Sequence, residues 1–108
     1  MSQFPTEYSL PLTLEQQARV RPHGKLDLLL RDALSRLEQE TELPPGAALI
    51  FYPDPDTHHA HTLEFKGLPK PLLDDLTDLA HYHRPTSHGG EWPMKDDPSQ
   101  VGRVWFSV

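Results

Sequence analysis

The sequence predicts a two-layer α+β domain, in which an antiparallel or mixed sheet of three to four strands carries two helices on one face. Two stretches, 25–41 and 71–84, repeat apolar residues at the helical spacing of i, i+4 and i+7. Shorter stretches alternate apolar and polar residues, as half-buried strands do. Twelve prolines are spread along the chain and separate these segments. We expect one domain over 1–108, because domains cluster near ~100–150 residues.

The first segment, 8–14, contains two overlapping signals. Tyrosine and leucine alternate there with other residues, which predicts a strand. Pro11 confines that segment to a sheet edge or to a short run, because proline has no N–H to donate to a neighbouring strand. Thr13 and Gln16 also fit a capping box, which predicts a short helix over 14–20.

Both longer helices have recognisable ends. The first begins at Lys25 and ends near Thr41, before a Pro-Pro-Gly turn. The second begins at Pro71, where the missing N–H costs nothing, and ends before Pro85. The residues that should face the sheet form two stripes: Leu26, Leu30, Ala33 and Leu37 in the first helix, and Leu72, Leu76, Leu79 and His83 in the second.

Three further strands are predicted. Residues 47–52 are apolar on both faces, which indicates a well-buried strand nearer the middle of the sheet. Residues 61–66 alternate, with Glu64 on the wet face, and should pair with the preceding strand through a loop at 53–60. Residues 101–108 alternate again and predict the final strand.

The resulting element order is β-α-β-β-α-β, with residues 85–100 as a long loop because they show no period. This is the order of the ferredoxin-like arrangement. Two observations disagree with that topology. It places the first strand in the centre, whereas Pro11 favours an edge, and it leaves the most apolar strand, 47–52, at an edge.

Composition and motifs exclude several classes of function. The chain has no cysteine, which excludes disulfide frameworks, thiolate nucleophiles and cysteine-based metal sites. No apolar run approaches the ~20 residues of a membrane-spanning helix, and the first residues show no signal-peptide pattern, so we expect a cytoplasmic protein. No catalytic motif is present, and we expect no enzyme.

The leading hypothesis is a small acidic protein–protein interaction domain, acting as an accessory or regulatory subunit or as an inhibitor of a basic partner. Trp92 and Met94 lie on the long loop, where they predict an anchor for another protein. The alternative is that Trp92 folds back and caps the core. Trp105 is expected on the open face of the sheet, which a homodimer would cover. The carboxylates expected to steer the partner are Asp74, Asp75, Asp78, Asp96 and Asp97.

A second hypothesis, which unlike the first requires a cofactor, is a metal-binding protein. His58, His59 and His61 lie at the end of the predicted hairpin loop and the start of its second strand. On a strand, His59 and His61 would project to the same face. Imidazoles at this spacing suit zinc or nickel. The alternative is a solvated hairpin tip in which these histidines bind nothing.

A third hypothesis is a nucleic-acid accessory protein. The stretch 19–36 contains five basic and two acidic residues, so it could form a basic edge. Against this hypothesis, the net charge of the chain is −6, and the 61–66 strand offers only Phe65 for stacking on RNA bases.

Overall fold

A computed structural model describes residues 5–40, 42–54, 56, 59–94 and 99–108. Within these residues the chain forms one antiparallel sheet of five strands and three helices. The α+β class is confirmed, but the prediction of three to four strands and two helices is too low. In chain order the elements are β1 (Thr6–Ser9), α1 (Leu14–Arg19), α2 (Gly24–Glu38), β2 (Ala48–Pro53), β3 (Ala60–Leu68), α3 (Lys70–His83), β4 (Ser87–Glu91) and β5 (Gly102–Ser107).

The strand order is β1-β2-β3-β5-β4, so the ferredoxin-like order is wrong. β1 lies at an edge and pairs with β2, from Thr6 opposite Phe51 to Ser9 opposite Ala48. The predicted edge position is confirmed, but the predicted bounds of 8–14 are wrong: β1 ends at Ser9, so Pro11 follows the strand and does not lie in it. β3 lies in the middle of the sheet with β2 beside it, as the apolar character of β2 predicts.

β4 lies at the other edge, within the stretch predicted to be an irregular loop, and it pairs with β5. Its Ser-His-Gly-Gly-Glu sequence has no apolar alternation, so periodicity cannot identify it. A Cβ atom on Gly89 would lie 2.7 Å from Cζ2 of Trp105, and one on Gly90 would lie 2.8 Å from Cζ3 of Trp92. Because successive strand residues face opposite sides, the two glycines let one indole ring lie on each face of β4.

The helix boundaries follow local chemistry. The predicted capping box of α1 is present: Thr13 Oγ1 accepts from the Gln16 amide at 3.1 Å, and the Thr13 amide donates to Gln16 Oε1 at 2.9 Å. α2 ends at Glu38, three residues before the predicted end. α3 ends before Arg84, which adopts a left-handed conformation with φ 54° at the C-cap.

The core lies between one face of the sheet and the helices α2 and α3. Their predicted leucine stripes are buried, and the sheet contributes Leu49, Phe51, Leu63, Phe65, Val104 and Phe106. His83 Nε2 lies 2.7 Å from Asp32 Oδ2 and links α3 to α2. The other face of the sheet carries no helix in the described part of the chain. None of the described helices is long and apolar enough to span a membrane.

Candidate functional site

A large groove lies between the segment that follows α2 and the beginning of α3. Its volume is about 930 Å³, and residues 99 and 101 close it on the side of β5. Prolines stand on both walls: Pro44 and Pro45 on one, and Pro69 and Pro71 on the other. Further lining residues are Leu43, Leu72, Val101, Ser99, Glu40, Glu42, Lys70, Asp74 and Asp75.

The groove is acidic. Its described lining residues include four carboxylates and one ammonium group, that of Lys70. Lys70 Nζ lies 3.2 Å from Asp74 Oδ2, so this single cation is engaged by one of the four carboxylates. Glu40, Glu42 and Asp75 are exposed and leave the groove with a net negative charge. Carboxylates on an apolar cleft favour a ligand that is both basic and apolar.

Trp92 is half-buried and packs against the core, which fits the alternative in which it caps the core. Its Nε1 donates a hydrogen bond to Asp74 Oδ1 at 2.9 Å. This bond and the Lys70 pair together orient the Asp74 carboxylate beside the groove. Met94, two residues further, is 98% exposed.

The remaining predicted partner-binding residues are scattered. Asp75 lines the groove, whereas Asp78 is exposed on α3 outside its lining. Trp105 lies on the open face of the sheet, away from α3, because its neighbours Val104 and Phe106 face the core. The residues predicted to form one contact surface therefore lie in two places, at the groove and on the open face of the sheet. Asp96 and Asp97 lie outside the described residues.

The open face of the sheet holds a buried carboxylate at a position where the alternation of the strand predicts a solvated side chain. Glu64 is only 6% exposed. Its Oε2 accepts from the Tyr52 hydroxyl at 3.1 Å, and its Oε1 accepts from Arg103 Nη1 at 2.9 Å. Arg103 Nη2 also binds Glu91 Oε1 at 2.9 Å, so one guanidinium bridges two carboxylates. The expectation that Glu64 is solvated is wrong, because partners on β2 and β5 satisfy it.

Burial and the neighbouring Glu64 carboxylate raise the pKa of Tyr52 above its ordinary value of 10.0. The folded protein thus holds the phenolic proton to a higher pH than the unfolded chain does. This contribution to stability is complete below the unfolded pKa and is lost as the pH rises through the folded pKa. In an ultraviolet titration of tyrosinate we expect one late step, and Tyr52→Phe should remove it. If Tyr52→Phe instead removed a titration step at the ordinary pH of tyrosine ionisation, the result would contradict the Tyr52–Glu64 hydrogen bond.

The predicted histidine cluster is not brought together among the residues that can be described. β3 begins at Ala60, so His59 precedes the strand, and its ring lies 6.2 Å from that of His23. The β2–β3 register shifts between Tyr52 and Pro53, opposite His61, which breaks the alternation assumed for a shared face. No group of three or more metal-ligating side chains occurs in the described ranges. His58 lies outside them, so the zinc or nickel site that includes it stays a prediction.

The basic stretch 19–36 is partly neutralised within its own helices. Arg19 pairs with Glu15, and Arg31 Nε lies 3.1 Å from Asp27 Oδ2. Paired surface cations are weaker phosphate ligands than free ones, so this geometry gives the nucleic-acid hypothesis no support.

Sequence reasoning missed the two residues that make the open face distinctive, Tyr52 and Glu64, and the carboxylates Glu40 and Glu42 of the groove. A charged residue in an alternating strand carries no local sign of burial. The Pro-Pro-Gly turn after α2 could have indicated a rigid wall, but only packing shows that α3 stands opposite it.

Comparison of the chain with known protein families, curated proteins and solved structures finds no match.

Proposed function

We propose that this protein is a small non-catalytic interaction domain whose groove binds a basic, partly apolar segment of another protein. The observation that carries the proposal is the pairing of apolar walls with an acidic rim in one groove of about 930 Å³. Such a domain would act as an accessory or regulatory subunit, or as an inhibitor that masks a basic surface. A cytoplasmic setting belongs to this proposal, since a chain without cysteine gains nothing from an oxidising compartment.

The walls of the groove supply area for hydrophobic contact. Val101 is 45% exposed and lines the groove together with the half-buried Leu43. Four proline rings add rigid apolar surface that loses little conformational entropy when a partner binds. Burial of such surface stabilises a complex by roughly 25 cal/mol per Å² before the costs of association.

The rim supplies selectivity for basic partners. Glu40, Glu42 and Asp75 are exposed, so their charges speed association and reject acidic proteins rather than supply most of the affinity. Asp74 is held by Lys70 and Trp92 and presents its carboxylate in one orientation. Met94, as an exposed and flexible apolar side chain, offers a contact beyond the groove itself.

Asp75→Asn is expected to weaken binding of the basic partner, and Asp78→Asn is not. Both substitutions remove one negative charge from an exposed position of α3, but only Asp75 lines the groove. The melting temperatures of both variants should match that of the unmodified protein, because neither side chain is buried. We expect Asp75→Asn together with Glu42→Gln to lower affinity about tenfold at low salt, with a smaller difference at high salt.

The measurement begins with co-purification of the untagged protein from its source cells, with the mass of the complex read by light scattering. Capture of a partner alone does not decide the proposal. The decisive comparison is whether the double groove variant loses the captured protein while Asp78→Asn retains it. Equal retention by both would refute the groove as the binding site. A homodimer without a second protein would favour the open sheet face as the interface.

A further inference from the structure

A second, smaller concavity lies on the face of the sheet that carries no helix. Its volume is about 300 Å³, near the lower limit of small-molecule sites. Side chains from β2, β3 and β5 form it, and Pro5 completes its edge. The polar and aromatic residues that line it are Tyr52, His61, Thr62, Glu64 and Trp105.

The hydroxyl hydrogens on this face are already engaged. The Tyr52 hydroxyl donates to Glu64 Oε2 at 3.1 Å. Ser107 Oγ donates to the carbonyl oxygen of His61 at 3.3 Å, and Thr62 Oγ1 lies 3.0 Å from Ser107 Oγ. With the Ser107 hydrogen directed at His61, Thr62 must donate to Ser107. What these groups offer a ligand is lone pairs, so the concavity favours a molecule rich in hydrogen-bond donors.

His61 adds an unsatisfied group. Its Nδ1 is the one buried side-chain nitrogen or oxygen atom without a hydrogen-bond partner in the described ranges. An unpaired buried polar atom costs free energy that a ligand could recover. His61 is also one of the residues that line the concavity beside Glu64.

Trp105 supplies an aromatic wall. An ideal Cβ on Gly89 would lie 2.7 Å from Cζ2 and 3.2 Å from Nε1 of this indole, so the N–H edge of the ring lies over β4. The indole donor is thereby directed to the β4 side, while the ring still lines the concavity. An aromatic surface beside a buried carboxylate attracts a cation through both the ring quadrupole and the charge.

We propose that this concavity binds a guanidinium group, supplied either by free arginine or by an arginine side chain of another protein. A guanidinium has five N–H donors and no acceptor, is planar enough to stack on Trp105, and is less strongly hydrated than an ammonium. Each Glu64 oxygen accepts one hydrogen bond, from Tyr52 or from Arg103, and keeps a second lone pair that a further N–H donor can reach. The site lies on the open sheet face and does not depend on the acidic groove.

The test uses amide NMR spectra of the full chain titrated with N-acetyl-arginine amide. We expect shifts centred on Tyr52, Glu64 and the indole N–H of Trp105. N-acetyl-citrulline amide has nearly the same shape without the charge, and it should bind at least about tenfold more weakly, since charge-assisted hydrogen bonds are the stronger ones. This comparison uses the unmodified protein and therefore does not depend on any variant folding.

A pair of variants locates the site. Glu64→Gln should weaken binding of the arginine amide by about tenfold or more, whereas Glu38→Gln, an exposed position on α2, should not change it. Free arginine provides the third arm. Tighter binding of the free amino acid indicates a small-molecule ligand, and equal binding indicates an arginine presented by a protein chain.

Two results would overturn this inference. Equal binding of the citrulline and arginine amides would show that the charge is not recognised. Shifts confined to the surroundings of Asp75 would place arginine in the acidic groove, which leaves the proposed function intact and removes only the site on the open face.

Discussion

Gly90→Val is expected to lower the free energy of unfolding by about 3 kcal/mol, the upper part of the range for overpacking a closely packed site. A Cβ at this position would lie 2.8 Å from Cζ3 of Trp92 and 3.0 Å from Cα of Val104, and it would also overlap the carbonyl oxygen of Arg103. Two of these atoms belong to the backbone of β5, which pairs with β3 on its other side. The backbone therefore cannot move away without loss of strand pairing.

Gly24→Ala is the matched control for this substitution. No atom lies within 4 Å of a Cβ at Gly24, the first residue of α2. Its stability should stay the same or rise by up to about 1 kcal/mol, because alanine loses less backbone entropy on folding. Urea denaturation followed by circular dichroism measures both variants. Unfolding of Gly90→Val at the same urea concentration as the unmodified protein would contradict the pairing of β4 with β5.

Trp92→Ala is expected to cost about 2–4 kcal/mol, slightly below the range for a fully buried tryptophan because Trp92 is half-buried. The substitution removes the ring that packs on Gly90 and the hydrogen bond from Nε1 to Asp74 Oδ1. Thermal unfolding should show a fall of more than a few degrees in melting temperature. The same substitution would not produce this fall if Trp92 were only an exposed residue that binds a partner.

Two companion variants separate the causes of this loss. Trp92→Phe keeps an aromatic ring but removes the hydrogen bond, and it should cost about 1 kcal/mol. Met94→Ala changes an almost fully exposed neighbour and should leave the melting temperature unchanged. An unchanged melting temperature for Trp92→Ala, combined with loss of partner binding, would instead identify Trp92 as a surface anchor.

Local signals determined most of the secondary structure. The leucine stripes of α2 and α3 predicted both helices, because one side of an amphipathic helix must leave water whatever it packs against. The Thr13–Gln16 capping box predicted α1 from contacts within a single turn. Pro11 predicted an edge position for the first strand, and β1 does lie at an edge, although it ends at Ser9, before the proline.

The candidate sites depended far more on the tertiary structure. Of the predicted partner-binding residues, Asp74 and Asp75 meet at the groove, whereas Trp105 lies on the open sheet face. Glu64 illustrates the limit most clearly. Its alternating strand predicts a solvated side chain, and only the registration of β3 between β2 and β5 brings Tyr52 and Arg103 close enough to bury it.

The sequence by itself thus determined the α+β class, the helix faces and the β2–β3 hairpin, because each depends on neighbours a few residues apart. The tertiary structure alone decided that β4 is a strand. Its glycines leave room for the indole rings of Trp92 and Trp105, and they follow no alternation of apolar and polar residues. It also decided where the groove lies. Its described lining residues are far apart in sequence, at 40, 42–45, 69–72, 74–75, 99 and 101, and they meet only because α2, α3 and β5 pack around one core.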